Sequence, residues 1–168
     1  SYVTEEDAKL LEGRLLVDLK EFDAAEKVIQ NVQPSELNKM LHEWIVIDCL
    51  VEKEKFAELR PRLEALLKDR PDDPDLIDQY VRVLRALDPK NARSYAESKL
   101  VEGIVLPILC HVALNESRAP LNRARDIVGK TKEDDKERLV QCFAEIFTHQ
   151  DYLETYIPYL KWATKEFP

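Results

Sequence analysis

The chain has 168 residues, of which 25 are Lys or Arg and 33 are Asp or Glu, giving a net charge of −8 and an isoelectric point near 5.0. A surface this acidic repels phosphate and lacks the clustered cations whose counterion release drives nucleic-acid affinity, which disfavours nucleic acid as a general partner. With 45% apolar residues and only three Gly, the composition is that of a globular helical protein, neither disordered nor collagenous.

Apolar residues recur at helical spacing nearly throughout and strict alternation is scarce, so the chain reads as all-α. Thr4 and Asp7 resemble a capping box that starts a helix running to Asp18, and Lys20-Glu21 makes a short turn. A second helix spans about Glu21 to Val32 and stops before Pro34, because the residue ahead of a proline is pushed out of the α region. Ser35 is expected to cap a third helix carrying Leu37, Leu41, Trp44, Ile45, Asp48 and Val51. It breaks near residues 52–54, and its partner runs from Phe56 to Lys68 with Pro61 in the first turn.

Residues 69–75 (DRPDDPD) read as a loop in which Asp73 caps a helix and Pro74 takes its first position, where a missing amide proton costs nothing. The four aspartates do not make a calcium loop, since the central Gly and terminal Glu of such a loop are missing. Further helices are predicted at Leu76 to Leu87, Lys90 to Glu102, Ile104 to Leu114, Pro120 to Val128, Glu133 to His149 and Asp151 to Phe167, ten in all. The stretch Ile104 to Leu114 is apolar almost all round, which marks a central helix flanked by neighbours, with His111 a hydrogen-bonded core residue. His149 marks a helix end.

Chemistry-bearing patterns are sparse. Cys49, Cys110 and Cys142 are odd in number, widely spaced and set in apolar stretches, so they read as buried free thiols in a reducing compartment, cytoplasm or nucleus. No segment has the length and apolar character to span a membrane, and no signal peptide is visible. Gly13, Gly103 and Gly129 are too far apart for a phosphate-cradling loop. His42, His111 and His149 lack a second ligand at metal spacing, and no Ser sits in a nucleophile elbow. The expectation is a non-enzyme with no catalytic residue, cofactor or metal.

A repeat is legible instead. Phe22 and Phe56, 34 residues apart, each open a second helix after a polar pair, and Tyr152 repeats the arrangement. A fixed period of this size is the signature of a helical solenoid. On these residues the chain resembles the tetratricopeptide repeat family, most clearly over residues 5–69 and 133–168. Gly13 falls at the family's small-residue position, Leu16 at its large one, Phe22 at the turn aromatic and Ala25 where paired helices touch. In the second unit Ile47 and Leu59 replace the small residues and Pro71 sits at the terminal proline. The last carries Leu139, Phe143, Tyr152, Thr155 and Tyr159. Ala92 and Ala124 are the candidate contact alanines between.

The resemblance implies one α-solenoid domain of about five antiparallel helix pairs over residues 1–168. Ser1 in place of an initiator Met, and Phe167-Pro168 at a repeat junction, make it read as a piece of a longer protein. It further implies a non-catalytic scaffold or adaptor subunit that takes a peptide or helix of another protein on a concave surface. Groove candidates transferred by register are Asp7, Leu10, Arg14, Val17 and Asp18, then Leu41, Trp44, Asp48 and Val51, then Asp75, Asp78, Arg82 and Arg85. Within these, Arg14, Trp44, Asp48, Arg82 and Arg85 are the partner-binding set, with Trp44 as the aromatic anchor.

The Lys and Asn positions by which some members hold a chaperone's terminal carboxylate carry Leu10, Arg14, Ile45, Asp75 and Gln79 here, so that clamp is absent. Charge is uneven: ten basic against sixteen acidic residues over 1–69, ten against nine over 70–130, five against eight over 131–168. Arg118, Arg123 and Arg125 concentrate in the middle, where bidentate recognition of an acidic peptide is an option. The competing readings are an RNA-associated helical repeat and a regulatory subunit of an enzyme complex. Oligomeric state has no sequence signal.

Overall fold

The structure is a computed structural model, and it describes residues 4–115, 117, 119–148 and 152–167. Among these there are ten α-helices and no strands: α1 (Glu5–Asp18), α2 (Phe22–Ile29), α3 (Lys39–Glu52), α4 (Phe56–Asp69), α5 (Pro74–Leu87), α6 (Pro89–Val101), α7 (Pro107–Leu114), α8 (Pro120–Lys130), α9 (Glu133–Phe147) and α10 (Leu153–Glu166). None is long and apolar enough to cross a membrane. Arg118, His149, Asp151 and Pro168, all named above, and Ser1 lie outside the described residues.

Caps account for most of the boundaries. Thr4 and Asp7 do form the reciprocal box: Asp7 N donates to Thr4 Oγ1 at 3.1 Å and Thr4 N to Asp7 Oδ2 at 3.0 Å. Asp73 accepts from the amides of Asp75 and Leu76 with Pro74 first in α5, and Asp88 accepts from Asn91 with Pro89 first in α6. Three starts differ from the sequence reading. The chain after Pro34 makes a turn, Asn38 N donating to Ser35 O, so α3 begins at Lys39 and not behind Ser35. Leu106, ahead of Pro107, is extended at φ −124° and ψ 138°, so α7 starts three residues later than Ile104. Pro61 lies past the first turn, inside α4.

The chain divides into two units, Ser1–Pro61 and Arg62–Pro168. In the first, α1 packs on α2 and α3, and α2 on α3. Leu10, Val17, Ala25, Ile29, Val32, Ile45 and Cys49 form the buried cluster, with Leu16, Phe22, Leu41 and Val46 at its margin. Gly13 sets the spacing: a Cβ there would lie 2.6 Å from Ile29 Cγ2 and 3.5 Å from Ile45 Cδ1, so only glycine admits this approach of the three helices. Helices α1 and α3 end alike. Lys20 (φ 63°) and Glu54 (φ 52°), 34 residues apart, both turn left-handed. Glu21 N reaches Leu16 O and Lys20 N reaches Val17 O, while Lys55 N reaches Leu50 O and Glu54 N reaches Val51 O. Both are Schellman closures displaced by one period.

In the second unit α7 is the hub, packing against α5, α6, α8 and α9, with Leu109, Cys110, Val112, Ala113 and Leu114 buried. The expectation of a central helix holds for this face. His111, however, is exposed, not a core residue, because α7 is only two turns long and Pro107 and His111 share its outer side. Phe143, Phe147 and Tyr159 add an aromatic cluster where α9 meets α10, Phe147 lying 4.8 Å from Tyr159 and 6.4 Å from Phe143 between ring centroids. Each such side chain contributes roughly 1.5–3 kcal/mol on burial. Ala92 and Ala124 are fully buried.

The three cysteines are free and buried. Burial, reinforced by the nearby Glu26 carboxylate, pushes the Cys49 thiol up to about 11. The Cys110 thiol is pushed upward by its hydrogen bond with Cys142 and by burial.

Candidate functional site

The partner-binding set falls on both units. In the first, α1 presents Arg14 and α3 presents Asp48 and Trp44. Arg14 Nη1 donates to Asp48 Oδ2 at 2.9 Å and Nη2 to Asp18 Oδ1 at 2.7 Å. Residues 14 and 48 are one period apart, so this ion pair ties equivalent positions of successive first helices. Burial raises the Asp48 carboxyl above its ordinary range, against the opposing pull of Arg14. Arg14 and Asp48 therefore serve each other, leaving half-buried Trp44, a turn before Asp48 on the same face, as the group of this trio with surface to offer.

Leu10 and Val17 do not belong to the groove. Both are buried in the core of the first unit, at 1% and 7% exposure, because the helix face that carries them closes on α2 and α3. The residues left outside are Leu11, Leu15 and Leu19, each about 60% exposed, a row at four-residue spacing opposite that core. Composition gives no sign of which leucines point outward. The end of α3 is held to α2 by Lys53, whose Nζ lies 2.7 Å from Asp23 and 2.6 Å from Glu26. Those two carboxylates raise the ammonium pKa.

In the second unit Arg82 and Arg85 are exposed on α5. Arg82 folds back on Asp78, Nε to Oδ2 at 2.7 Å, while Arg85 makes no hydrogen bond or ion pair among the described residues. The basic residues of α8 divide similarly. Arg123 is a structural tie, its Nε donating to Ala113 O and its Nη2 to Glu97, both at 2.7 Å. Arg125 instead stacks on Trp162.

A cleft that sequence reasoning missed lies on the second unit. It encloses about 380 Å³ between Leu67, Pro71, Tyr80 and Tyr95, with Glu64 and Lys99 at its edge. Tyr80 meets Tyr95 edge to face at 5.0 Å and donates to Glu64 Oε1 at 2.9 Å. Burial pushes the Tyr95 hydroxyl up to about 12, so it stays protonated at neutral pH. Lys99 is held by Glu102 at 2.7 Å. Such a cleft suits an apolar or aromatic side chain. The two tyrosines are 15 positions apart on different helices, and no local pattern in the sequence links them.

No protein-family model, curated protein or solved structure matches the chain.

Proposed function

We propose that the protein is a non-catalytic interaction scaffold, a tetratricopeptide-like solenoid in which the first helices of successive hairpins take a peptide or helix of another protein. The observation that carries this reading is the repetition at 34 residues: the closures at Lys20 and Glu54 share one hydrogen-bond pattern, and Arg14 bonds to its one-period equivalent Asp48. Hairpins closed alike and stacked in register leave their first helices side by side, and aromatic groups on such a surface carry much of the energy at interfaces. Trp44 is the anchor in this proposal. Arg82 and Arg85 provide the complementary charge for an acidic partner segment.

A photo-crosslinking residue at position 44 tests it, with position 27 on exposed α2 as control. The expected result is capture of one contiguous segment of a partner protein from position 44 and not from 27. Trp44→Ala should weaken that partner by at least roughly tenfold. Capture from position 27 alone would reject the surface. The RNA reading would gain if RNA were captured and lost on charge reversal at Arg82 and Arg85. It has less support, since Asp48 and Asp78 already occupy Arg14 and Arg82.

A further inference from the structure

A second recess of about 260 Å³ lies on the C-terminal unit, where Arg125 and Gly129 of α8, Lys136 of α9 and Trp162, Glu166 and Phe167 at the end of the chain come together. Small-molecule pockets run from roughly 300 Å³ upward, so this one is scaled to a single side chain. Arg125 is set apart from the other cations of α8. Lys130 is bound by Asp126 at 2.6 Å and Arg123 by Glu97 and Ala113 O. Arg125 has no hydrogen bond or ion pair among the described residues, and its buried Nε is without a hydrogen-bond acceptor.

The guanidinium is nevertheless fixed, with Cζ 5.4 Å from the Trp162 ring centroid, and Trp162 is itself braced edge to face by Phe167 at 6.0 Å. Stacking spends the flat face of the guanidinium and leaves its N–H edge to bond. A buried charged donor with no partner is costly, and the acceptor that best matches Nε together with a terminal nitrogen is a carboxylate, bound bidentately. Space for it exists beside the helix: a Cβ on Gly129 would meet no atom within 4 Å. Lys136, held by Glu133 at 2.6 Å, adds positive potential, and Glu166 at the rim opposes it.

We propose that this recess binds the side-chain carboxylate of an acidic residue on a partner polypeptide, with Arg125 as the bidentate donor and Trp162 and Phe167 taking the apolar part of the segment. The site stands whether or not Trp44 contacts a partner. Arg125 Nε–H and the Trp162 indole N–H report on it directly in ¹H–¹⁵N spectra of the whole chain. The probe is N-acetyl-glutamyl-leucine amide, set against its glutamine and phosphoserine counterparts.

Saturable shifts of both signals with the glutamyl peptide are expected, with the glutamine peptide at least roughly tenfold weaker. Arg125→Lys keeps the charge but loses the fork and should weaken binding by a similar factor. Gly129→Leu, which strengthens α8 intrinsically, should fill the recess and abolish the shifts while leaving the rest of the spectrum in place. Glu166→Gln should tighten binding about twofold by removing a like charge. Equal shifts from the glutamine peptide, no saturable shift from the glutamyl peptide, or binding undiminished in both Arg125→Lys and Gly129→Leu would overturn the proposal. Tighter binding of the phosphoserine peptide would overturn the carboxylate assignment.

Discussion

The two units of the chain solve the same problem differently. The N-terminal unit is periodic: hairpin turns one period apart close by the same bonds, and a single glycine sets how near the helices come. The C-terminal unit is centred: a two-turn apolar helix, α7, touches four neighbours, and large aromatics fill the space between α9 and α10. In the first, backbone closure and a missing side chain carry the fit; in the second, side-chain volume does.

This contrast sets the order of expected effects. Leu109→Ala, at a fully buried position of the hub helix, should be the largest, about 3 kcal/mol of lost stability with a residual cavity, read by urea denaturation. A loss below about 1 kcal/mol would mean the hub collapses around the gap and is not close-packed. One substitution made in both units should then change sign. Gly13→Ala drives a methyl to within 2.6 Å of Ile29 and should cost about 1–2 kcal/mol despite the better helix former, whereas Gly129→Ala meets nothing and should gain about 0.5–1 kcal/mol. Equal signs would erase the distinction.

The periodic closures supply the next test. Lys20 and Glu54 hold a left-handed backbone that disfavours any residue with a Cβ, so Lys20→Gly and Glu54→Gly should each stabilise by about 0.5 kcal/mol in thermal or urea unfolding. A response at only one site would show that the two turns are alike in geometry but not in energy.

The smallest effect belongs to Asp48. Its carboxyl is raised, so the folded protein holds that proton more tightly than the unfolded chain does. Stability therefore falls as pH rises from the ordinary carboxylate value through the raised one. Asp48→Asn should lie within about 1 kcal/mol of wild type at pH 7, and the wild type's stability relative to it should be greatest at the acid end. A difference that grew with pH would mean that the bond to Arg14 outweighs burial.

Legibility in the sequence followed the range of the interaction. Caps and period are local: Thr4 with Asp7, Asp73 with Pro74, and Phe22 with Phe56 were all readable, as was the apolar run of α7. What failed was set by partners far along the chain. The segment after Ser35 forms a turn, and Asn38 at its end donates to Asp7 from 31 residues away. His111 sits in an apolar run yet faces out, because a run does not say which of its sides lacks a neighbour. Leu10 and Val17 exchanged roles with Leu11 and Leu15 by a small rotation of α1 about its axis. The candidate groove residues were identifiable by register, but that Arg14 and Asp48 would satisfy one another, or that Arg125 would stack on Trp162, needed three dimensions.

The buried thiols bear on how the two units are to be watched in solution. Cys49 lies in one unit, and Cys110 and Cys142 lie in the other. An aromatic disulfide reagent reaches none of these sulfurs until helices part, so its rate of capture is a clock for local opening that requires no engineered label. Mass spectrometry of the modified peptides would time each unit on its own, and would register whether they breathe together or one ahead of the other.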